Sequence, residues 1–170
     1  MSNNLKDFPD NNSIFIDANI FLHHAFGVND VSIEFLKRVE NITVKAFTSV
    51  LVLEEVFFKL LLQQGSNFIE KITVKKLKSY LHDDVKRPEI FTPLTQYQKF
   101  ISILKDSGLR IIELRSTDLD IALHLAEQWG IVTADAFHLA AMKRKRLTHL
   151  ASDDTDFERV QEITLWRPKQ

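Results

Sequence analysis

The chain contains no cysteine and only four glycines. The absence of cysteine excludes disulfides, iron–sulfur clusters and cysteine-based zinc sites, and it fits a reducing compartment. A metal ion bound here would therefore need oxygen or imidazole ligands. The glycines form neither a GxGxxG nor a GxxxxGK[ST] loop, which argues against a nucleotide-binding module.

The chain also lacks a strong charge of either sign and a long apolar run. Its net charge of −1 gives no overall signal for binding nucleic acid phosphates. The most apolar segment, residues 50–62, carries Glu54, Glu55 and Lys59 and is too short and too charged to span a bilayer. The polar N-terminus lacks the features of a secretion signal. We therefore expect a cytoplasmic protein that does not contact a membrane.

The order of the predicted elements indicates the fold class. A length of 170 residues with 45% hydrophobic residues is typical of one globular domain. We predict a disordered lead over residues 1–12 and a single domain over residues 13–170. Strands are predicted at 13–17, 42–49, 110–114, 149–152 and, at the edge, 163–166. Helices are predicted at 19–25, from about 33 to 40, from 50 to about 64, at 66–82, 94–106, about 117–129 and 135–146, with 83–93 irregular around Pro88 and Pro93. This alternation predicts an α/β fold with a mostly parallel central sheet of four to five strands and helices on both faces.

Several carboxylates fall where the predicted strands end. Asp17 ends the first strand, Asp153 and Asp154 follow the fourth, Asp135 opens a helix, and Glu55 lies about two turns into the helix after the second strand. Each acid alone has an ordinary explanation as a turn, cap or solvated residue. In open α/β sheets, however, ligands bind beyond the carboxyl ends of the strands. Carboxylates crowded at that edge would repel one another, and a bound Mg²⁺ or Mn²⁺ ion would remove the conflict.

These stretches resemble the PIN-domain family of metal-dependent nucleases, which includes the VapC-type toxins of toxin–antitoxin pairs. The segments that carry the resemblance are "IFIDANIFL", "TSVLVLEEVFFKLL" and "GIVTADAFHLAAMKRKRLTHLASDDTDFERV". The acids that match the family pattern are Asp17, Glu55, Asp135 and Asp154, with Asp156 as a secondary member and Glu54 as a less favoured alternative to Glu55. Asp153 stands where other members often have a neutral polar residue. Residues 63–95 are longer than a compact toxin-type domain needs.

The resemblance implies a ribonuclease that cleaves single-stranded RNA with a metal-activated water. The matching acids would hold Mg²⁺ or Mn²⁺, and Asn19 and Ser49 would orient a carboxylate or a water. The "KRKR" run, Lys143, Arg144, Lys145 and Arg146, could contact RNA phosphates or only complement a helix C-terminus. His138 lies one turn after Asp135, and a structural role is favoured for it. Expected partners are RNA, an antitoxin if the chain is a toxin, and a second copy in a homodimer.

Two other classes of function remain open at this point. The first is a catalytically inactive domain of the same family that binds RNA or a protein partner. The second is a phosphatase or dehalogenase-like hydrolase that uses Asp17 as a nucleophile. The phosphotransferase version of that enzyme usually has a second Asp two residues later, where this chain has Asn19.

Overall fold

The structure is a computed structural model that describes residues 2–169. The strands are β1 Asn3–Asn4, β2 Ser13–Ile16, β3 Lys45–Ser49, β4 Arg110–Ile112, β5 His149–Ala151 and β6 Thr164–Arg167. The helices are α1 Ala18–Phe26, α2 Asp30–Glu40, α3 Val50–Ser66, α4 Val74–Leu81, α5 Arg87–Asp106, α6 Thr117–Trp129 and α7 Thr133–Arg144. All neighbouring strands pair in parallel, in the order β1-β6-β5-β2-β3-β4. The α/β class with a parallel sheet is confirmed, with six strands within residues 2–169 rather than four to five.

The central strand β2 shows how the sheet is buried. Ile14, Phe15 and Ile16 are all fully buried, and successive side chains of a strand point to opposite faces. The Phe15 ring lies 5.9 Å from the ring of His138 on α7. Among the helices, α6 and α7 pack on each other, and α1, α2, α3 and α5 contact one another in a second group. This explains why the strand sequences read as apolar runs without alternation.

The predicted disordered lead over residues 1–12 is wrong for residues 3–8, and Met1 lies outside the described residues. Asn3–Asn4 pairs in parallel with β6 at the sheet edge. Leu5 and Phe8 are buried in the main core, and the Phe8 ring packs edge-on against Trp166 at 5.0 Å. Two apolar side chains in an otherwise polar segment are therefore enough to fix it against the sheet.

The prediction of an irregular stretch at 83–93 is wrong from Arg87 onward, where α5 begins; residues 83–86 lie outside the helices and strands, as predicted. Pro88 lies in the first turn of α5, where the missing N–H has no helical partner in any case. Pro93 lies inside the helix. Ile90 and Leu94 are buried, so packing of this helix outweighs the local disfavour for Pro93.

Gly65 does not end α3 as its sequence position suggests. The helix continues to Ser66, and Gly65 itself is buried. A Cβ built on Gly65 would lie 2.6 Å from Cδ1 of Ile72 and 3.0 Å from Cδ1 of Leu77. A larger residue at this position would have to displace the side-chain ends of Ile72 and of Leu77 on α4. Helix α4 spans only Val74–Leu81 of the predicted 66–82 helix.

In the part of the chain that the structure describes, none of the helices combines the length and the apolar composition needed to cross a bilayer.

Candidate active site

Asp17 lies directly after β2 and before α1, where a helix cap is expected. Its side chain makes no cap hydrogen bond, so capping does not account for this residue. Instead, Oδ2 accepts hydrogen bonds from Nδ2 of Asn19 at 2.8 Å and from Oγ of Ser152 at 2.7 Å. Its backbone N–H donates to the carbonyl of Ala151 at 3.0 Å. The carboxylate is therefore buried and oriented by polar partners from two strand ends.

Ser152 is the centre of the polar network that joins the ends of β2 and β5. Its Oγ accepts from Nδ2 of Asn19 at 3.0 Å and from the backbone N–H of Asp154 at 3.1 Å. Oδ1 of Asn19 in turn accepts from the backbone N–H of Asp153 at 2.9 Å. Sequence reasoning missed Ser152, although a polar residue between an apolar strand and "DD" was a usable signal.

The pKa of the Asp135 carboxyl depends on the other acids at this edge of the sheet. Asp135 is in the first turn of α7. Burial and, after it, the negative charges of Asp17, Asp154, Glu55 and Asp156 together raise the pKa of this carboxyl to about 7. All five acids singled out from the sequence therefore interact electrostatically at one edge of the sheet.

Asp17 experiences the same conflict. Its pKa is raised mainly by burial. The imidazole of His138 and the hydrogen bond from Ser152 lower it, and the charge of Glu55 raises it. Two carboxyls of the cluster are thus disfavoured as free anions in the folded protein.

Three of the acids have local partners in this conformation. Oε1 of Glu55 lies 2.5 Å from Nζ of Lys59, one turn further along α3. Oδ1 of Asp154 accepts from the backbone N–H of Asp156 at 2.8 Å, capping the short 3₁₀ turn that follows. Asp156 in turn lies 3.3 Å from Arg159.

In this conformation the described acids do not surround a single position. Within residues 2–169, no three Asp, Glu or His side chains are arranged to enclose a metal ion. The acids share one neighbourhood, but Glu55 contacts Lys59 and Asp156 contacts Arg159. The chemistry of the donor set, carboxylate oxygens in mutual repulsion, fits a hard divalent cation such as Mg²⁺ or Mn²⁺.

Two further residues named from the sequence lie beside the acids. Ser49 is buried, and its Oγ accepts from the backbone N–H of Val52 at 3.1 Å, which caps α3. His138 is fully buried, and neither of its ring nitrogens has a hydrogen-bond partner within residues 2–169. Burial lowers the pKa of His138 while the charges of Asp17 and Glu55 oppose that shift. The imidazole is packed in the core, and its burial disfavours the charged form.

Arg144 of the basic run has a structural partner. Its guanidinium binds both carboxylate oxygens of Asp118, with Nε to Oδ1 at 2.9 Å and a terminal nitrogen to Oδ2 at 3.0 Å. The same terminal nitrogen donates to the carbonyl of Glu113 at 2.6 Å. Asp118 is fully buried and also accepts from the backbone N–H of Arg115. Arg144 thus ties the end of α7 to the start of α6.

The other three cations of the run are Lys143, Lys145 and Arg146, and their environments differ. Nζ of Lys143 is 3.2 Å from Glu162. Lys145 lies beside Phe47 and the edge strand β4. Lys145 and Arg146 are exposed and have no ion pair among the described residues. The four cations are not interchangeable members of one basic surface.

Comparison with known proteins identifies relatives of this chain in sequence and in fold. "Ribonuclease VapC2" of Methanocaldococcus jannaschii is 27% identical over 150 residues, covering 88% of this chain and 89% of that protein. A VapBC2 structure from Rickettsia felis, solved bound to a promoter DNA fragment, is similar with a TM-score of 0.55 and 17% identity, covering 91% of this chain and 98% of that one. A toxin–antitoxin complex from Klebsiella pneumoniae is similar with a TM-score of 0.57 and 18% identity, covering 92% and 98%.

The match to a family decides the classification. At these identities the two solved structures support the shared fold. The sequence model of the PIN domain matches residues 14–163, which contain β2 to α7, β5 and all five acids of the cluster. The chain belongs to the PIN-domain family.

Proposed function

We propose that this protein is a metal-dependent endoribonuclease that cleaves single-stranded RNA in the cytoplasm as the toxin of a type II toxin–antitoxin pair. The observation that carries the proposal is the convergence of distant acids on Asp135, whose pKa is raised first by burial and then by the charges of Asp17, Asp154, Glu55 and Asp156. The relative from M. jannaschii is named a ribonuclease. The family and the charge pattern together support cleavage of a phosphodiester.

Asp17, Glu55, Asp135 and Asp154 would hold Mg²⁺ or Mn²⁺, with Asp156 beside them. When bound, such an ion lowers the pKa of a coordinated water from about 15.7 toward neutrality and offsets charge on the leaving oxygen. The residues of the chain prepare the donors. Both hydrogen bonds to Asp17 engage Oδ2, so neither of them occupies Oδ1.

To bind a cation, Asp135 would release its proton and Glu55 would leave its ion pair. The carboxyl of Asp135, with a pKa of about 7, holds a proton in part of the molecules at neutral pH and releases it when it becomes a ligand. Glu55 leaves the ammonium of Lys59, which lies one turn away on α3. The exposed pair of Glu55 and Lys59 is weak, so this exchange has a small cost.

Asn19 fits the orienting role better than Ser49 does. Asn19 contacts Asp17 directly and also binds Ser152 and the main chain of Asp153. The hydroxyl oxygen of Ser49 is engaged in capping α3. We therefore propose that Asn19 and Ser152 orient Asp17, and that Ser49 sets the start of the helix that carries Glu55.

For RNA, we propose that Lys145 and Arg146 contact phosphates. Lys143 and Arg144 of the original set are paired with Glu162 and Asp118, so they contribute less to this contact. Neither Lys145 nor Arg146 forms an ion pair in the described part of the chain.

We further propose an antitoxin partner and a homodimer. The solved relative from K. pneumoniae is a toxin–antitoxin complex, and the one from R. felis is VapBC2 bound to a promoter DNA fragment. The apolar segment of α3 is mostly core, since Val56 and Leu60 are buried, but Phe58 is 39% exposed. Such an exposed aromatic side chain is suited to burial against a partner.

A second candidate function is a domain that binds RNA or protein without cutting it. It is favoured by the absence, among residues 2–169, of three acidic or histidine side chains arranged to enclose an ion. The hydrolase alternative is disfavoured because Asn19 stands where such an enzyme would have a second Asp. The amide group of Asn19 donates a hydrogen bond to Asp17. Hydrolysis of a small phosphate ester by the purified protein would support the hydrolase.

Cleavage by an Asp17→Asn variant tests the proposal. The variant keeps the size and most hydrogen bonds of the side chain, so we expect a folded protein that has lost metal-dependent cleavage of single-stranded RNA. The matched control is Asp120→Asn on α6, an exposed acid without an ion pair among the described residues, which should keep full activity. Unchanged cleavage by Asp17→Asn would refute the assignment, and no Mn²⁺ binding by the wild type would favour the inactive domain.

A further inference from the structure

Arg167, the last residue of β6, binds the side chain of Asp153. A terminal nitrogen of its guanidinium lies 2.9 Å from Oδ1 of Asp153, and Nε lies 3.3 Å from the same oxygen. The other carboxylate oxygen, Oδ2, faces Nε2 of His23 from α1 at 3.9 Å. Arg167 also lies 3.5 Å from Glu158. The Asp153 carboxylate therefore sits between a cation on β6 and an imidazole on α1.

The main chain of Asp153 nevertheless belongs to the acid cluster. Its backbone N–H donates to Oδ1 of Asn19. Its two neighbours in sequence, Ser152 and Asp154, contact Asp17 and cap the next turn respectively. The residue thus stands inside the turn that builds the site, while its side chain is bound by a different set of groups.

The charge of Asp153 needs an explanation in that position. The cluster already holds five acids whose mutual repulsion raises the pKa of Asp135. A sixth unpaired carboxylate between Ser152 and Asp154 would add to that repulsion. Arginine is suited to remove it, because its guanidinium stays charged and donates several hydrogen bonds in a fixed geometry.

We propose that Arg167 is a positioning residue that neutralises Asp153 and keeps its charge out of the cation site. The inference rests on the proposed function, because it concerns the metal that the acids would hold. It assigns a task to a residue outside the matched region 14–163. It also explains how this chain tolerates an additional acid in the turn after β5.

The physical consequence is a change in cation affinity when the arginine is removed. Without Arg167, the negative charge of Asp153 adds to the field at the acid cluster and attracts a divalent ion more strongly. A unit charge acting through partly solvated protein changes the affinity on the order of three- to ten-fold. When Asp153 is also made neutral, this gain disappears.

The test is Mn²⁺ binding by the full chain, measured by isothermal titration calorimetry, for the wild type and three variants. We expect Arg167→Gln to bind Mn²⁺ roughly three- to ten-fold more tightly than the wild type. We expect Asp153→Asn, which leaves the charge of Arg167 without this partner, to bind Mn²⁺ more weakly than the wild type. We expect the double variant Arg167→Gln/Asp153→Asn to stay within about two-fold of the wild type. The matched control is Arg38→Gln, which removes the same charge from a pair with Asp10.

The control is well matched because the Arg38 and Arg167 side chains are 26% and 25% exposed. Arg38→Gln should leave Mn²⁺ affinity unchanged. Equal or weaker Mn²⁺ binding by Arg167→Gln, or the same affinity in Arg167→Gln and in the double variant, overturns the proposal.

A second readout separates this proposal from the proposed function. The melting temperatures of the same four proteins without metal report the pairing itself. If Arg167 acts on Asp153, the losses in the single variants are not additive, and the double variant melts no lower than the less stable single variant. Additive losses overturn the pairing. Failure of the wild type to bind Mn²⁺ at all overturns the proposed function, and the melting temperatures then still decide the pairing.

Discussion

Oγ of Ser152 donates a hydrogen bond to Oδ2 of Asp17 across 2.7 Å, although 135 positions separate the two residues in the chain. Parallel pairing of β2 with β5 brings them together, since Phe15 and Ile16 lie beside Leu150 and Ala151. The contact fixes a buried carboxylate at the edge of the sheet where the other acids gather. The sheet order is thus directly responsible for the geometry of the candidate site.

Replacing Ser152 by alanine should weaken both the fold and the site. The change removes a donor to Asp17 and the acceptor for Asn19 and the Asp154 main chain, so we expect the free energy of unfolding to fall by about 1–2 kcal/mol. Urea denaturation measures this loss. The control is Ser66→Ala, because the exposed Ser66 hydroxyl donates only to the carbonyl of Gln63, and it should change stability by less than about 0.5 kcal/mol. Equal effects of the two substitutions would show that the buried network is not important.

The raised pKa of Asp135 predicts how stability depends on pH in the metal-free protein. Between the usual value of 3.8 and about 7, the folded state holds a proton that the unfolded state has released. This contribution to stability is therefore present below pH 3.8 and is lost as pH rises through about 7.

The variant Asp135→Asn has no carboxyl to ionise at this position, so it does not lose stability there as pH rises. Because solvent reaches this half-buried carboxyl, we expect the variant to be more stable than the wild type by only about 1–2 kcal/mol at pH 8, with the advantage shrinking toward pH 4. Thermal or urea unfolding at a series of pH values measures the difference. Asp120→Asn, at an exposed position on α6, should run parallel to the wild type at every pH. A pH-independent effect of Asp135→Asn would contradict the crowding of the acids.

Arg144 is predicted to act on stability and not on RNA. In Arg144→Met, the buried Asp118 loses its bidentate partner, and we expect a loss of about 3 kcal/mol in unfolding free energy. The double variant Arg144→Met/Asp118→Leu should recover much of that loss, since no buried charge is then left unpaired. An Arg144→Met protein with wild-type stability would exclude the structural role and return Arg144 to the RNA-binding set.

Lys145 is predicted to behave in the opposite way. Lys145→Gln should weaken binding of single-stranded RNA by an Asp17→Asn protein and reduce the slope of log K against log salt by about 0.7. Fluorescence anisotropy at several salt concentrations measures both quantities. The control Lys75→Gln removes an exposed lysine of α4, and Lys145→Gln should leave the melting temperature unchanged. Equal RNA affinity of the two variants would argue against a phosphate contact at Lys145.

Local patterns predicted much of this molecule because local physics determines it. The buried strands followed from apolar, β-branched runs, and Asp17 and Asp135 were found because they stand where such elements end or begin. The stop of α6 at Gly130 followed from the left-handed conformation, with φ 61°, that glycine adopts readily.

The remaining features depend on contacts between distant segments. The role of Ser152 follows from the β2–β5 pairing, and that of Arg167 from the position of β6 beside β5. The N-terminal strand exists because β6 offers it an edge. Pro93 fits within α5 because tertiary packing buries Leu94 beside it. The partners in these contacts cannot be identified from a short sequence window.

The central claim is that the acids at this edge of the sheet hold one divalent cation site. Anomalous diffraction from crystals of the full chain grown with Mn²⁺ tests it most directly. We predict a manganese peak within bonding distance of Asp17 and of at least two among Glu55, Asp135 and Asp154, with Asp153 still bound to Arg167. A manganese-containing crystal with no peak at these carboxylates, or with its peak at another surface, would contradict the claim.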